Sequence, residues 1–411
     1  MRRLYNHFSV ARQPHAEDPL SPVVDGTAAW STARWSFLAL ALTFGVAYSF
    51  GAFVGPMAAD MNASPDQMGW VFGISTFLFL ILGVGTGQLC DRHGPRRLVA
   101  VGGLLIAAGL VLSARVDDVR LLYLTYGVFV GVGVACIYIP VISNAGCWFD
   151  KHRSKALGLT VTGVGIGTLI GAPAAALAVQ AFGWRPVATA LGGMVGLLLL
   201  LISPYLKRAP QHGVQRPNWD VLKQVATHRQ FVLIYLSGIG IGFTLYMPIV
   251  FLGPFAIGLG VPPVEAATLV GAIGVASAVS RLLFGGLGDR FGPMRAYQLS
   301  TALVMAAYLV WVFGNSYSAL LCCALVLGIG YGGITASTPA LLMSLFGRDR
   351  IGTVIGAMTS SSSFGSLVGC PLAGILIQRQ GFEVTVGVFA LIAACGMAAV
   401  VSLQRTPSTT A

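Results

Sequence analysis

One cation sits where cations are costly. Arg281, in the run SAVSRLLFGGLGDR, has apolar residues on both sides and lies eight positions before Asp289, the nearest hydrophilic turn. At about 1.5 Å per residue, a helix would carry it ~12 Å below that turn. Insertion scales charge about 2.5–3.5 kcal/mol for an arginine at mid-membrane, so a residue kept there points to a site. A guanidinium takes a carboxylate through a planar fork, and one positive charge balances one negative charge. That favours a monoanion over a dianion, which would want a second cation. The alternative is structural, with Arg281 bonding helix carbonyls or tying two helices together.

Four tyrosines stand near the middle of other apolar runs: Tyr48, Tyr138, Tyr246 and Tyr331. Their hydroxyls could bond a carboxylate or the hydroxyl or keto group beside it, or they could simply pack. No Asp, Glu or His occupies the middle of a run, so the usual proton relay of a pump is missing. Three options stay open: anion exchange, facilitated passage, or a proton travelling on the substrate acid. The sequence shows no nucleophile–base set and no phosphate loop. Cysteines at 90, 136, 147, 322, 323, 370 and 395 lack metal-ligand spacing. Neither an enzyme nor a metal or cofactor site is expected. The glycine run at Gly163 follows no strand and reads as helix packing rather than a nucleotide loop. The serines 360–363 could face a cavity or bond their own helix.

The elements that must hold these residues follow from composition. The chain of 411 residues is 55% hydrophobic and 9% charged, with a mean hydropathy of +0.79. Too few charges remain to cover such a chain in water, so lipid is its solvent. Apolar runs of membrane-crossing length are predicted at 36–58, 68–90, 98–115, 121–147, 156–179, 187–206, 231–257, 265–288, 296–313, 318–345, 352–377 and 384–403. Helices are required because backbone groups in lipid must be satisfied within the segment. The fold class is therefore an all-α membrane protein of twelve transmembrane helices. The net charge of +11 sits in short clusters between runs, which excludes a nucleic-acid stripe. With the N-terminus inside, twenty Lys and Arg face the cytoplasm and four face out, and both termini are cytoplasmic. The expected division is a tail at 1–33, a first bundle at 34–206, a linker at 207–230, a second bundle at 231–403 and a tail at 404–411. Short loops and tails suit the inner membrane of a prokaryote.

The two bundles repeat. GQLCDRHGPRR from Gly87 returns as GGLGDRFGPMR from Gly285, an offset of 198. Tyr48, Phe53, Gly55 and Pro56 return at the same offset as Tyr246, Phe251, Gly253 and Pro254, and Pro173 returns as Pro371. Duplicated halves are a mark of secondary transporters, which rock one half against the other around a midplane site. In the repeated loops, Asp91 lies beside Arg92 and Arg97, and Asp289 beside Arg290 and Arg295. These charges can pair in one conformation and part in another, as a bistable latch.

The loop pattern G-x-x-x-D-R-x-G-x-x-R, present twice, resembles the signature of the major facilitator superfamily. Asp25-Gly26 before Trp30, the segment WFDKHRSKALGLTVTGVGIG from Trp148, and Arg281 in the eighth run resemble features of the monocarboxylate transporter family and its oxalate:formate exchange relatives. The resemblance implies two pseudo-symmetric six-helix bundles, a cavity lined by helices 1, 4, 7 and 10, and Arg281 as substrate residue. It implies transport of a lactate- or pyruvate-like acid as a monomer, with a proton or counter-anion as partner. Two positions depart from animal members: Ser277 stands for an aspartate and Tyr48 for a lysine. An exporter of drugs or hydrophobic metabolites is the competing expectation, although Arg281 does not suit cationic drugs.

Overall fold

The computed structural model describes residues 25–149, 152–209, 227–346 and 351–402. Residues 1–24 of the tail predicted at 1–33, the whole tail predicted at 404–411 and most of the linker lie outside the described residues. Among the described residues ten helices are long and apolar enough to cross a membrane, or eleven when Pro65–Ile81 and Gly85–His93, bent by 53°, form one span. The last helix, Ile351–Ser402, turns at Gly381 (φ 84°) and so supplies two. The result is twelve spans. They are α1 (Thr27–Met61), α2 (the bent pair), α3 (Pro95–Ser113), α4 (Val119–Cys147), α5 (Arg153–Phe182), α6 (Trp184–Ile202), α7 (Arg229–Gly258), α8 (Pro263–Phe291), α9 (Pro293–Phe313), α10 (Tyr317–Phe346), α11 (351–380) and α12 (382–402).

Helix α1 begins at Thr27, seven residues inside the predicted tail. Tertiary contacts extend it. Asp25 takes a left-handed backbone (φ 61°) and donates its N–H to the Trp148 carbonyl at 3.1 Å, while its carboxylate accepts from the His152 N–H. Trp30 then meets Phe149 edge-on at 5.0 Å. The two sequence signatures at Asp25 and Trp148 thus form one cluster with Ala29, Ala33 and Ala156. Beside it, Asn144 and the Trp148 indole hold the backbone of Lys207 and Ala209, which pins the start of the linker to α4.

The internal repeat is visible in contacts between backbones. A Cβ at Gly167 would strike the Ala41 carbonyl, and one at Gly365 would strike that of Ile239, two contacts related by 198 residues. The same offset relates Gly73 against Leu367 to Gly271 against Leu169. Lipid supplies no hydrophobic force between helices, so association relies on such close approach of small residues. Between the halves, α2 crosses α11 at Gly69, Gly73 and Gly374, α5 crosses α8 at Gly165 and Gly274, and α1 meets α7 at Gly51. The α2–α11 and α1–α7 crossings lie toward the face opposite the linker. At the linker face, Trp35 stacks on Tyr205 and Phe231 meets Phe346 edge-on, each inside its own half.

Prolines inside helices free carbonyls one turn earlier. Pro248 cannot donate to Thr244, and the buried Tyr308 hydroxyl on α9 replaces the missing donor at 2.6 Å. Tyr308→Phe should therefore lower stability by about 1–3 kcal/mol, read as thermal unfolding in detergent, because the Thr244 carbonyl loses its partner. A second expected outcome concerns the seal between halves. At Gly69 a Cβ would sit 2.5 Å from the Cys370 carbonyl oxygen, and Cys370 is fully buried. In a variant whose sole cysteine is Cys370, Gly69→Val should raise maleimide labelling severalfold by forcing α2 and α11 apart.

Candidate functional site

The five residues proposed from sequence converge. Arg281 lies on α8, Tyr48 at the break of α1, Tyr138 on α4, Tyr246 on α7 and Tyr331 on α10. The Tyr48 and Tyr246 hydroxyls are in reach of each other, as are Tyr246 and Tyr331, and Tyr331 and Arg281. Tyr138 lies in the neighbourhood of Tyr48, Tyr246 and Tyr331. Tyr48 and Tyr246 are repeat mates that touch, so they stand on the pseudo-twofold axis, one turn from the Gly51–Ile249 contact of the same offset.

Local breaks present these side chains. Helix α1 is interrupted at Tyr48–Ser49, which places the Tyr48 ring against Phe44 at 5.1 Å. Helix α4 breaks at Cys136–Ile137, just before Tyr138, whose ring leans on Phe44 and Phe79. On α8, Ser277 and Arg281 share one face at helical spacing.

Arg281 donates its Nε–H to the Thr335 hydroxyl at 3.1 Å, and its guanidinium carbon lies 5.7 Å from the Tyr331 ring centre. Thr335 in turn donates to the carbonyls of Tyr331 and Gly332, which leaves its lone pair for Arg281. Arg281 forms no ion pair among the described residues, where the two pairs found belong to Arg185 with Asp60 and Asp117. Its bonding to Thr335 on the neighbouring helix meets part of the structural alternative, yet the hydroxyl leaves the positive charge uncancelled. A cavity of about 20 Å³, lined by Arg281, Tyr48, Tyr331, Ser277, Thr168 and Leu245, lies between the halves. It has room for roughly one water. Tyr138 and Tyr246 stand behind that lining rather than in it. The Ser277 hydroxyl is buried and has no hydrogen-bond partner among the described residues.

Sequence reasoning missed Thr335 and Thr168, for which hydroxyls in a glycine-rich run gave no signal. The serines at 360–363 do not line the cavity: Ser361 and Ser363 bond their own helix, and Ser362 reaches the Gly238 carbonyl. Arg281 has no counterpart in the first half, since an offset of 198 leads to Gly83, which abuts Ile139.

Among the described residues the latch charges form no ion pair with one another. Arg92, Arg97, Arg290 and Arg295 are exposed, and none enters an ion pair among the described residues. Asp91 offers its backbone carbonyl to Arg208 of the linker start. The Asp289 side chain lies outside the described residues.

Comparison with known proteins completes the assignment. The family model of the Major Facilitator Superfamily matches residues 36–359 and 234–411. Monocarboxylate transporter 11 of Homo sapiens is 28% identical over 373 residues, covering 87% of this chain and 79% of the relative. Monocarboxylate transporter 13 of Rattus norvegicus is 29% identical, covering 87% and 84%. An MFS-type transporter of Gibberella moniliformis is 29% identical, covering 80% and 81%. Among solved structures, the nucleoside transporter NupG aligns with a TM-score of 0.74 at 13% identity, over 93% of this chain and 100% of that one. A bacterial homolog of the human lysosomal transporter Spinster, inward-facing and unoccupied, aligns at 0.68 and 18% identity, over 92% and 95%. The matched family, the duplicated loops and the twelve helices agree, and this integral membrane chain belongs to the Major Facilitator Superfamily of transporters.

Proposed function

We propose that the protein carries a small monocarboxylate, of lactate or pyruvate size, across the membrane by alternating access, with Arg281 as the residue that binds its carboxylate. The observation that carries this reading is an intramembrane guanidinium beside a cavity between the halves, bonded to a hydroxyl rather than to a carboxylate. Relatives that bear the name monocarboxylate transporter support the same class of cargo. Tyr331 and Tyr48 offer hydroxyls to the carboxylate or to a neighbouring polar group, and Tyr246 and Tyr138 hold them in place. At 20 Å³ the cavity takes no three-carbon acid until the halves part. Latch arginines that are exposed and form no ion pair among the described residues fit a linker face free to open.

An empty cavity leaves the Arg281 charge uncancelled at depth, which favours closure only with an anion aboard. Cargo-coupled movement follows, as anion exchange or as symport in which the acid itself brings the proton. The cytoplasmic placement of both termini, an inner membrane of a prokaryote as home, the bundle boundaries given above and a monomeric working unit belong to the same proposal.

Uptake of labelled lactate into proteoliposomes tests it. Arg281→Gln should abolish accumulation, and Arg281→Lys should keep a fraction, since a point charge replaces the fork. Thr335→Val should raise the half-saturating concentration about tenfold to a hundredfold, as loss of one hydrogen bond to a charged group costs roughly 1.5–3 kcal/mol. Equal uptake by the wild type and Arg281→Gln would remove the site assignment. Efflux of preloaded hydrophobic dyes without lactate uptake would instead favour the exporter reading.

A further inference from the structure

Most hydroxyls around the Arg281 cavity find a carbonyl. Thr168 donates to that of Val164, Ser280 to that of Ile329 and Ser300 to that of Ala296. Ser277 does not. It is 4% exposed, and its hydroxyl has no partner among the described residues. Buried polar groups are normally paired, so an orphan in a cavity wall asks for a ligand. Four side chains of that wall carry hydroxyls: Tyr48, Thr168, Ser277 and Tyr331. Thr168 is committed to its own helix, and Tyr48 and Tyr331 each have Tyr246 within reach. The Ser277 hydroxyl alone is uncommitted.

Its place relative to Arg281 is fixed twice. The two residues lie one turn apart on α8, with Cβ atoms about 5–6 Å from each other. A long helical side chain leans toward the helix N-terminus, which carries the guanidinium back toward the Ser277 turn. On α10, Gly332 abuts the Ser277 carbonyl, and the Arg281 partners Tyr331 and Thr335 lie within one turn of that glycine. Hydroxyl and guanidinium therefore stand at one depth beside one cavity.

We infer that Ser277 reads an oxygen on the carbon next to the carboxylate, which makes 2-oxo and 2-hydroxy acids the cargo and disfavours plain short-chain acids. The inference rests on Arg281 holding the carboxylate. A carboxylate in that fork leaves its neighbouring carbon one bond away, on the side of Ser277. A serine hydroxyl donates to a keto oxygen and either donates to or accepts from a hydroxyl. It carries no charge, so it does not compete with the cargo for the guanidinium. A plain acid puts a methylene there and leaves the hydroxyl orphaned, and a site built to bond a polar group rejects the analogue that lacks it.

Propionate has the carbon skeleton of lactate without the extra oxygen, so competition against labelled lactate uptake in proteoliposomes tests the inference. In the wild type, unlabelled pyruvate and lactate should compete at concentrations severalfold below propionate. Ser277→Ala should raise those of pyruvate and lactate about twofold to tenfold, the scale of one neutral hydrogen bond, and leave that of propionate unchanged. The empty variant should unfold in detergent at no lower temperature than the wild type, since it loses an unpaired polar group. Equal weakening of all three acids, with a lowered unfolding temperature, would assign Ser277 to packing and overturn the inference. Arg281→Gln, run in parallel, separates the two readings. Uptake lost in Arg281→Gln with the acids ranked alike in Ser277→Ala and wild type would sink the Ser277 assignment alone. Uptake intact in Arg281→Gln would remove the carboxylate site and this inference with it.

Discussion

Everything in this fold depends on helices approaching one another without help from water. Lipid tails are as apolar as leucine, so packing must come from contact itself. The protein meets that constraint by placing glycine where one helix crosses the backbone of another: Gly167 on Ala41, Gly365 on Ile239, Gly69 on Cys370. Contacts of this kind inside each half make a rigid body. Between halves they make a seal that either forms completely or breaks, because a backbone-to-backbone fit has no halfway state. Rigidity within and bistability between are the two properties that alternating access needs.

Arg281 belongs to a different economy. Its charge is stabilised where it is by Thr335 and by the electron-rich face of Tyr331, and neither partner cancels it. The tyrosines around it provide hydroxyls without adding charge. The outcome is a small polar island at the meeting of α1, α7, α8 and α10, walled by Leu245, Ile249 and Val164. An apolar wall of this sort strengthens any electrostatic contact made inside it.

Much of this could be read from the sequence, and the limits have physical causes. Twelve spans and two halves were legible because hydropathy and an offset of 198 are global signals that survive local noise. Arg281 was legible because its cost makes it conspicuous. The start of α1 was not, since Thr27 to Ala33 owe their helix to Trp148 and Phe149, which are distant in sequence. Thr335 was not, because a hydroxyl that serves a neighbour looks the same as one that serves its own helix. The serines at 360–363 carried the same ambiguity between cavity and own helix; Ser361 and Ser363 bond their own helix, while Ser362 reaches the Gly238 carbonyl on α7. The breaks at Tyr48–Ser49 and Cys136–Ile137, which present Tyr48 and Tyr138, lie inside continuous apolar runs, so hydropathy does not announce them.

The duplication that made the two halves alike in shape left them unlike in charge. Where the second half carries Arg281, the first carries Gly83. The swing is thus mechanically even and electrically lopsided. An anion bound at Arg281, as proposed, would ride with one bundle while the other screens it.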